Sequence, residues 1–305
     1  KPGKFTRRAE LHLATFGSWD FGGNQIWSGI FHFGDLTFLN YWGVDWYWAY
    51  NPESINNRLT RGGPLTLNPS GWEGGFELES DSRKLWVLSL GFERGYYGSG
   101  RYWNISPSIE LKPASNVSVS IGPDYNRDIT TAQWVGAFDD PTATATYNKR
   151  YVFAELDQTT LAASIRLNWT FTPKLSLQLY AQPLISAGDY DDFKELARPR
   201  SYNFNIYGEG ESTFDNENYI ADPDGAGPAQ PIELGNPDFN FKSLRGNAVL
   251  RWEYLPGSTL YLVWTQSRSD VEEIGEFQFN RSFRRLWNAD VDNIFMIKVA
   301  YWLSI

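Results

Sequence analysis

The sequence predicts an all-β fold, an antiparallel transmembrane β-barrel of about 14 strands with short periplasmic turns and long external loops. Three observations carry that expectation. Segment after segment alternates apolar and polar residues over ten or more positions, tight and long connections take turns along the chain, and Trp and Tyr gather near strand ends. A tilted membrane crossing needs about 9–11 residues per strand, whereas sandwich strands hold about five or six.

Composition narrows the solvent. The 305 residues suffice for two ordinary domains or one large β-structure. Aromatic residues reach 17%, with 14 Trp, 17 Tyr and 20 Phe, well above an average globular chain. No stretch approaches the about 18 consecutive apolar residues of a membrane helix. Cysteine is absent, which excludes disulfides and thiolate metal sites. A net charge of -9 argues against a nucleic-acid partner, which would need clustered basic residues. The opening "KPGKFTRRAELHL" has no Met and no apolar signal core, so a mature or truncated chain is expected.

Strands are expected at 5–21, 24–34, 36–50, 70–80, 83–95, 99–111, 115–126, 131–138, 147–157, 159–171, 174–186, 243–255, 258–269 and 292–304. In "LRGNAVLRWEYL", Leu244, Gly246, Ala248, Leu250, Trp252 and Tyr254 share one face, and Arg245, Asn247, Arg251 and Glu253 the other. The closing "NIFMIKVAYWLSI" (293–305) sets Phe295, Ile297, Val299, Tyr301, Leu303 and Ile305 toward lipid and Lys298 toward the interior. Tight turns fall at 33–35, 80–83, 112–115, 172–174 and 255–258, and external loops at 51–69, 187–242 and 270–291. Nearly every tight turn lands on one rim and the three longest loops on the other; the link at 139–146 is longer than its rim predicts. Clusters such as "YWGVDWYWAY" (41–50) and "GYYGSGRYW" (95–103) suit headgroup depth, where a ring is buried and its polar edge stays wet.

The acidity belongs to one external segment. Residues 187–242 hold twelve acids against four bases, so -8 of the chain's -9 resides there. "DNENYIADPDG" (215–225) offers oxygen ligands for calcium but lacks EF-hand spacing, and a solvated acidic loop is the expected reading. The stretch 200–210 is expected either to extend a strand above the membrane or to fold back as a plug. In "NRLTRGGPLTLNPSGW" (57–72), Gly62 and Gly63 before Pro64 permit a sharp turn. Arg58 and Arg61 are expected at the pore mouth or paired with the acidic loop, while a turn that merely pins the loop to the rim stays open.

The lumen candidates are His12, His32, Glu73, Glu77, Arg166, Arg245, Arg251, Glu253 and Lys298, joined by Glu79, Glu93 and Glu110. A ladder of both signs lines a water-filled pore or pairs across a closed interior. His12 and His32 are both expected on lumen faces of neighbouring strands. No serine or carboxylate stands at a spacing that would make them catalytic, so hydrogen bonding in the lumen is expected and no enzyme activity, cofactor or metal.

"LTRGGPLTLNPSGW" (59–72), "AELDQTTLAASIRLNWTFTPKLSLQLYAQPLIS" (154–186), "NPDFNFKSLRGNAVLRWEYLPGSTLYLVWTQSRS" (236–269) and "DNIFMIKVAYWLSI" (292–305) carry a resemblance. They are similar to the C-terminal part of a bacterial outer-membrane family in which a carbohydrate-binding family 9-like domain precedes a large β-barrel domain of unknown function. The resemblance implies a bacterial outer-membrane location and brings no catalytic residues. Residues 1–305 are therefore expected to form either one barrel domain or the C-terminal part of a larger barrel. The expected role is a channel or the membrane component of an uptake or surface-assembly system. The alternatives are a plugged scaffold whose external loops hold lipopolysaccharide, a glycan or a partner protein, and, outside the membrane, a soluble carbohydrate-binding sandwich.

Overall fold

The alternating segments pair in sequence order in the computed structural model, which describes residues 3–303. The wall opens with β1 (Thr6–Trp19), β2 (Gln25–Phe38) and β3 (Gly43–Asn51). A hairpin of β4 (Ser54–Asn56) and β5 (Thr66–Asn68) interrupts it, and β6 (Gly71–Glu79), β7 (Trp86–Tyr97) and β8 (Gly100–Ala114) resume it. Its longest members follow: β9 (Val117–Asp139), β10 (Lys149–Thr172) and β11 (Leu175–Leu196). β12 (Phe204–Ile206) adds to the outer end of β11, and β13 (Thr213–Asp215), β14 (Ile220–Asp222) and β15 (Ile232–Glu233) form a small separate sheet. The wall closes its run with β16 (Phe239–Leu255), β17 (Ser258–Glu272) and, after helix α1 (Phe279–Asn288), β18 (Asp292–Ala300). Every neighbouring pair in this 13-stranded sheet is antiparallel.

Two expected strand pairs are continuous. Segments 115–126 and 131–138 are both β9, and 147–157 and 159–171 are both β10. Polar runs at 124–131 and 155–160 obscure the alternation there, and register shifts at Val152/Phe153 and Ala154/Leu156 change its phase. The merger also removes the exception at 139–146, because that link now joins β9 to β10 on the long-loop rim. On the opposite rim stand the short turns after β2, β6, β8, β10 and β16. The expected turn at 33–35 lies inside β2, and the chain reverses instead at 39–42, where Tyr41 takes φ 67°. Segment 187–242 is not loop throughout, since β11 runs on to Leu196 and β16 starts at Phe239. Ser304 and Ile305, assigned to the closing strand, lie outside the described residues.

Register fixes two faces. Opposed residues of an antiparallel pair point to the same side, so a row can be followed across the sheet. One row runs Trp46–Phe76–Phe92–Ile105–Tyr125, and another Ile165–Ala181–Gly246–Gln266. This apolar face also carries Leu250, Leu262 and Ile297 in one line. Ring-bearing residues bound it at both ends. Tyr50, Trp72 and Tyr96 are aligned and exposed near the external rim, and Trp86, Trp169 and Trp252 are exposed near the short-turn rim. From Trp86 to Tyr96 the rise is about 34 Å along the strand, or about 26 Å in height at a tilt of about 40°, which matches the about 25 Å apolar band of outer-membrane barrels. Exposed Ile, Leu and Trp in such a band require lipid, not water.

The sheet has two free edges. Among the described residues, β1 pairs only with β2 and β18 only with β17, so their outer backbone groups are unpaired and Leu13 and Phe295 stand 77% and 76% exposed. Beyond the external girdle, β9, β10 and β11 continue by roughly ten residues each. This ledge holds the densest packing in the chain: Val152 and Ala154 against Phe193, Tyr207 and Ala221, and Phe153 against Ala132, Tyr151 and Leu196.

Candidate pore-lining face and its external cap

The second face of the wall is polar, and its charges are segregated. From β2 to β9 the register places Asp35, Asp45, Glu73, Glu77, Glu79, Glu93, Glu110 and Asp124 on it. From β10 to β18 the same face carries Arg166, Arg245, Arg251 and Lys298, against Glu253 and, at the external end, Asp292. An acidic arc therefore faces the same space as a basic arc. A cleft of about 360 Å³ on the acidic side is lined by Asp35, Asp45, Tyr47, Glu77, Glu93 and Ser106. Tyr102 donates to Glu73 Oε2 at 2.8 Å, Arg251 reaches Glu253 at 3.4 Å, and Lys112 pairs with Glu110 at 3.0 Å. The Arg166 guanidinium lies 5.1 Å from the Tyr180 ring and the Lys298 ammonium 5.9 Å from the Tyr261 ring.

One candidate changes face. His12 does stand on the polar side, stacked on Phe33 at 4.8 Å with Nε2 3.6 Å from Glu10. His32 does not: its partners are Leu13 and Trp48, both of the apolar face, and its ring stacks on Trp48 at 6.1 Å. Pairing His12 with Phe33 and Leu13 with His32 is a one-residue offset, and a period of two turns that offset into opposite faces. Two imidazoles side by side, the basis for any catalytic reading, do not occur. Asp35, Asp45 and Asp124 escaped the sequence reading; Asp35 was hidden by the turn assigned at 33–35, and a strand drawn through it would have placed it in the acidic row.

Above the wall, two external segments meet. Gly62 (φ 103°) lets the chain reverse, Thr60 donates to the Pro64 carbonyl at 2.8 Å, and Gly63 packs against the Tyr151 side chain. Arg61 extends over Trp134, 5.5 Å from the ring centre, whereas Arg58 is exposed. Neither arginine pairs with an acid of 187–242 among the described residues, which corrects that expectation; the aromatic ledge takes Arg61 instead. Arg200 N–H donates to Leu65 O at 2.7 Å and Leu67 N–H to Ser201 O at 3.2 Å. Arg200 Nη2 reaches Asn24 Oδ1, in the β1–β2 turn, at 3.1 Å. A loop rooted on β3 and β6 thus leans on β9 and β10, and one rooted on β11 reaches β1–β2, so together they bridge the external end of the polar face. The stretch 200–210 takes the above-membrane course through β12. In 215–225 the Asp215 carboxylate accepts from the Glu217 and Asn218 backbone and from Asn218 Nδ2, the chemistry of a turn.

A Cβ at position 63 would lie 2.2 Å from Tyr151 Cε1, where no atom fits. Gly63→Ala should therefore lift the 57–65 tip at a cost of about 1–3 kcal/mol. Faster protease cleavage within 57–65, with unchanged wall assembly, is the expected result; an unaltered cleavage rate would show that the tip is not seated.

The cap is anchored by a buried ion cluster that the sequence did not announce. Arg150 Nε donates to Asp140 Oδ2 at 2.5 Å, Nη1 to both Glu195 oxygens at 2.7 and 2.6 Å, and Nη2 to Thr142 Oγ1 at 3.0 Å. Tyr207 and Asn205 complete the shell of Glu195 at 3.1 and 3.3 Å. Burial pushes the Asp140 carboxyl up, but Arg150 and Thr142 outweigh it and hold the group below its ordinary value. Burial likewise works against the Arg150 charge, and the two carboxylates overcome it.

An apolar, girdled face turned outward and a charged face turned inward beneath bridging loops define the wall of an outer-membrane β-barrel, a class of the bacterial outer membrane. The chain belongs to the DUF5916 family, described as a domain of unknown function, whose pattern matches residues 34–305. No curated protein matches the sequence. Among solved structures, the siderophore receptor PiuA from Acinetobacter baumannii is similar at 10% identity and a TM-score of 0.51, over 98% of this chain and 46% of that one. The copper transporter OprC gives 11% identity and a TM-score of 0.49, over 98% and 43%, and the NanC porin 9% and 0.29, over 97% and 99%. The likeness to PiuA is one of fold. The chain spans less than half the length of the first two proteins.

Proposed function

We propose that the chain is the wall of a transport barrel, a channel or the membrane component of an uptake or surface-assembly system. The observation that carries this reading is the segregated polar face. An acidic arc opposed to a basic arc sets up a field across the enclosed water, which orients and sorts charged solutes. The free edges of β1 and β18 take further strands to complete the wall, because lipid leaves no unpaired backbone unpunished. The resemblance to a family in which a carbohydrate-binding family 9-like domain precedes the barrel supports delivery or capture of a glycan at such a wall. No reaction is assigned to it: His12 and His32 lie on opposite faces.

A second reading, a scaffold closed by its loops and holding lipopolysaccharide, a glycan or a protein at the cell surface, draws on the bridge between 57–67 and 197–203. Conductance of the reconstituted protein separates the two. A channel is expected to conduct, to prefer cations because of the acidic arc, and to shift its reversal potential toward anions in Asp45→Asn/Glu77→Gln/Glu93→Gln. Arg245→Gln/Arg251→Gln should shift it the other way. A scaffold stays silent until 200–230 is deleted; silence in both forms removes the reading of this chain as a channel by itself.

A further inference from the structure

Helix α1 lies outside the wall. It packs on β11, β16 and β17, and the residues it meets there belong to the apolar-face rows: Asn240, Lys242, Asp270 and Glu272 continue the line of Leu244, Leu250 and Leu262 beyond the external girdle. Ser282 donates to Asn240 Oδ1 at 3.1 Å, and Leu286 is buried. Arg285 grips Asp270 at 2.7 and 3.0 Å, and Lys242, fully buried, sits 2.9 Å from the same carboxylate and 2.5 Å from Glu272. The helix is thus strapped to the outer surface of the wall by charge.

Its other side shows the reverse chemistry. Phe279, Phe283 and Trp287 recur every four residues, stack at 5.7 and 6.3 Å, and are 48%, 48% and 62% exposed. Exposed Arg284 borders the stripe. Height places the stripe: Arg268 donates to the Trp287 carbonyl at 2.7 Å and lies 5.1 Å over its ring. Arg268 stands about ten residues above the short turn before β17, the length of one tilted crossing, and so at the external headgroup level. Four residues below it on the same face, Trp264 stacks on Phe295 in the lipid band.

We infer that α1 is an in-plane membrane anchor, its Phe279–Phe283–Trp287 stripe inserted at the acyl–headgroup boundary of the outer leaflet and Arg284 set among the anionic headgroups. The inference rests on the membrane reading of the wall. Continuity with the lipid-facing rows, and arginine beside aromatic rings at this depth, select lipid as the occupant. The anchor would hold the 273–291 segment down on the bilayer, away from the mouth bridged by the other two loops.

The chain has no cysteine, so single-site nitroxide labels report depth without background. Phe279→Cys, Phe283→Cys, Arg284→Cys and, as a wall control, Leu262→Cys are labelled in the full protein reconstituted in phosphatidylcholine–phosphatidylglycerol vesicles. Collision with oxygen is compared with collision with a water-soluble nickel chelate. Expected is an oxygen-to-nickel ratio at 262, 279 and 283 several-fold above that at 284. Water-like ratios at 279 and 283 with a lipid-like 262 would overturn the anchor and leave the wall intact. Spin–spin broadening at 283 would overturn it in favour of contact between copies. A water-like 262 would remove the membrane reading and the anchor with it.

Discussion

Arg150→Ala is expected to destabilise the external ledge by about 3–5 kcal/mol, because it strands two buried carboxylates whose shared counter-ion has gone. Asp140 and Glu195 cannot relax into water, since both are buried and Tyr207 closes over Glu195. The damage should be local. Hydrogen exchange and protease cleavage should accelerate across 140–148 and 197–222, while the membrane part of β16–β18 keeps its protection. Arg150→Lys should recover only part of the loss, for an ammonium cannot bridge Nε and Nη contacts at once. The same cluster has a pH limb. Asp140 is held below its ordinary value, so its contribution is complete above the unfolded carboxyl value of about 3.9 and fades as pH falls through the lower folded one. Acid should therefore loosen the ledge of the native chain, and Arg150→Ala, already without the pair, should lose most of that acid response. Equal exchange rates in native and variant chains would show that the cluster carries no load.

Leu179→Arg is expected to cost about 2–4 kcal/mol and to impair membrane assembly, because position 179 lies near the middle of the apolar band, between Leu167 and Ala248. Gln178→Arg, one residue away, points to the polar face beside Asn168 and Val249 and should change stability by less than about 0.5 kcal/mol. The contrast between adjacent positions is the informative part: a general intolerance of charge would affect both. The comparison is read from the fraction of folded, membrane-inserted protein for each variant. Equal tolerance at 178 and 179 would mean that both faces meet water.

Period-two alternation was enough to read the faces of the wall from β6 to β18, although it split β9 and β10 in two, because each strand states its face independently. Glu73, Glu77, Arg166, Arg245, Arg251, Glu253 and Lys298 share one polar face of the sheet, where that alternation sets them. His32 was misplaced because "FHFGDLTF" holds aromatic residues on both faces, so the pattern carries no phase and a Gly-Asp pair passes for a turn. The ledge was illegible for a different reason. Above the bilayer both sides of β9–β11 are covered or wet in patches, the bulges at 152–156 reset the phase, and Arg150, Asp140 and Glu195 meet only through a fold that brings 140, 150 and 195 together. Helix α1 is hidden within the expected loop 270–291, because ten residues with three arginines give a short stripe that exposure and stacking reveal.

Neighbouring residues of one wall strand meet different solvents. Single cysteines at 245 through 252 of β16, reacted in intact outer membranes with a small charged thiol reagent, test it most directly. Modification is expected at 245, 247, 249 and 251 and protection at 246, 248, 250 and 252. Uniform reaction along the strand, or reaction at the even positions alone, would contradict it.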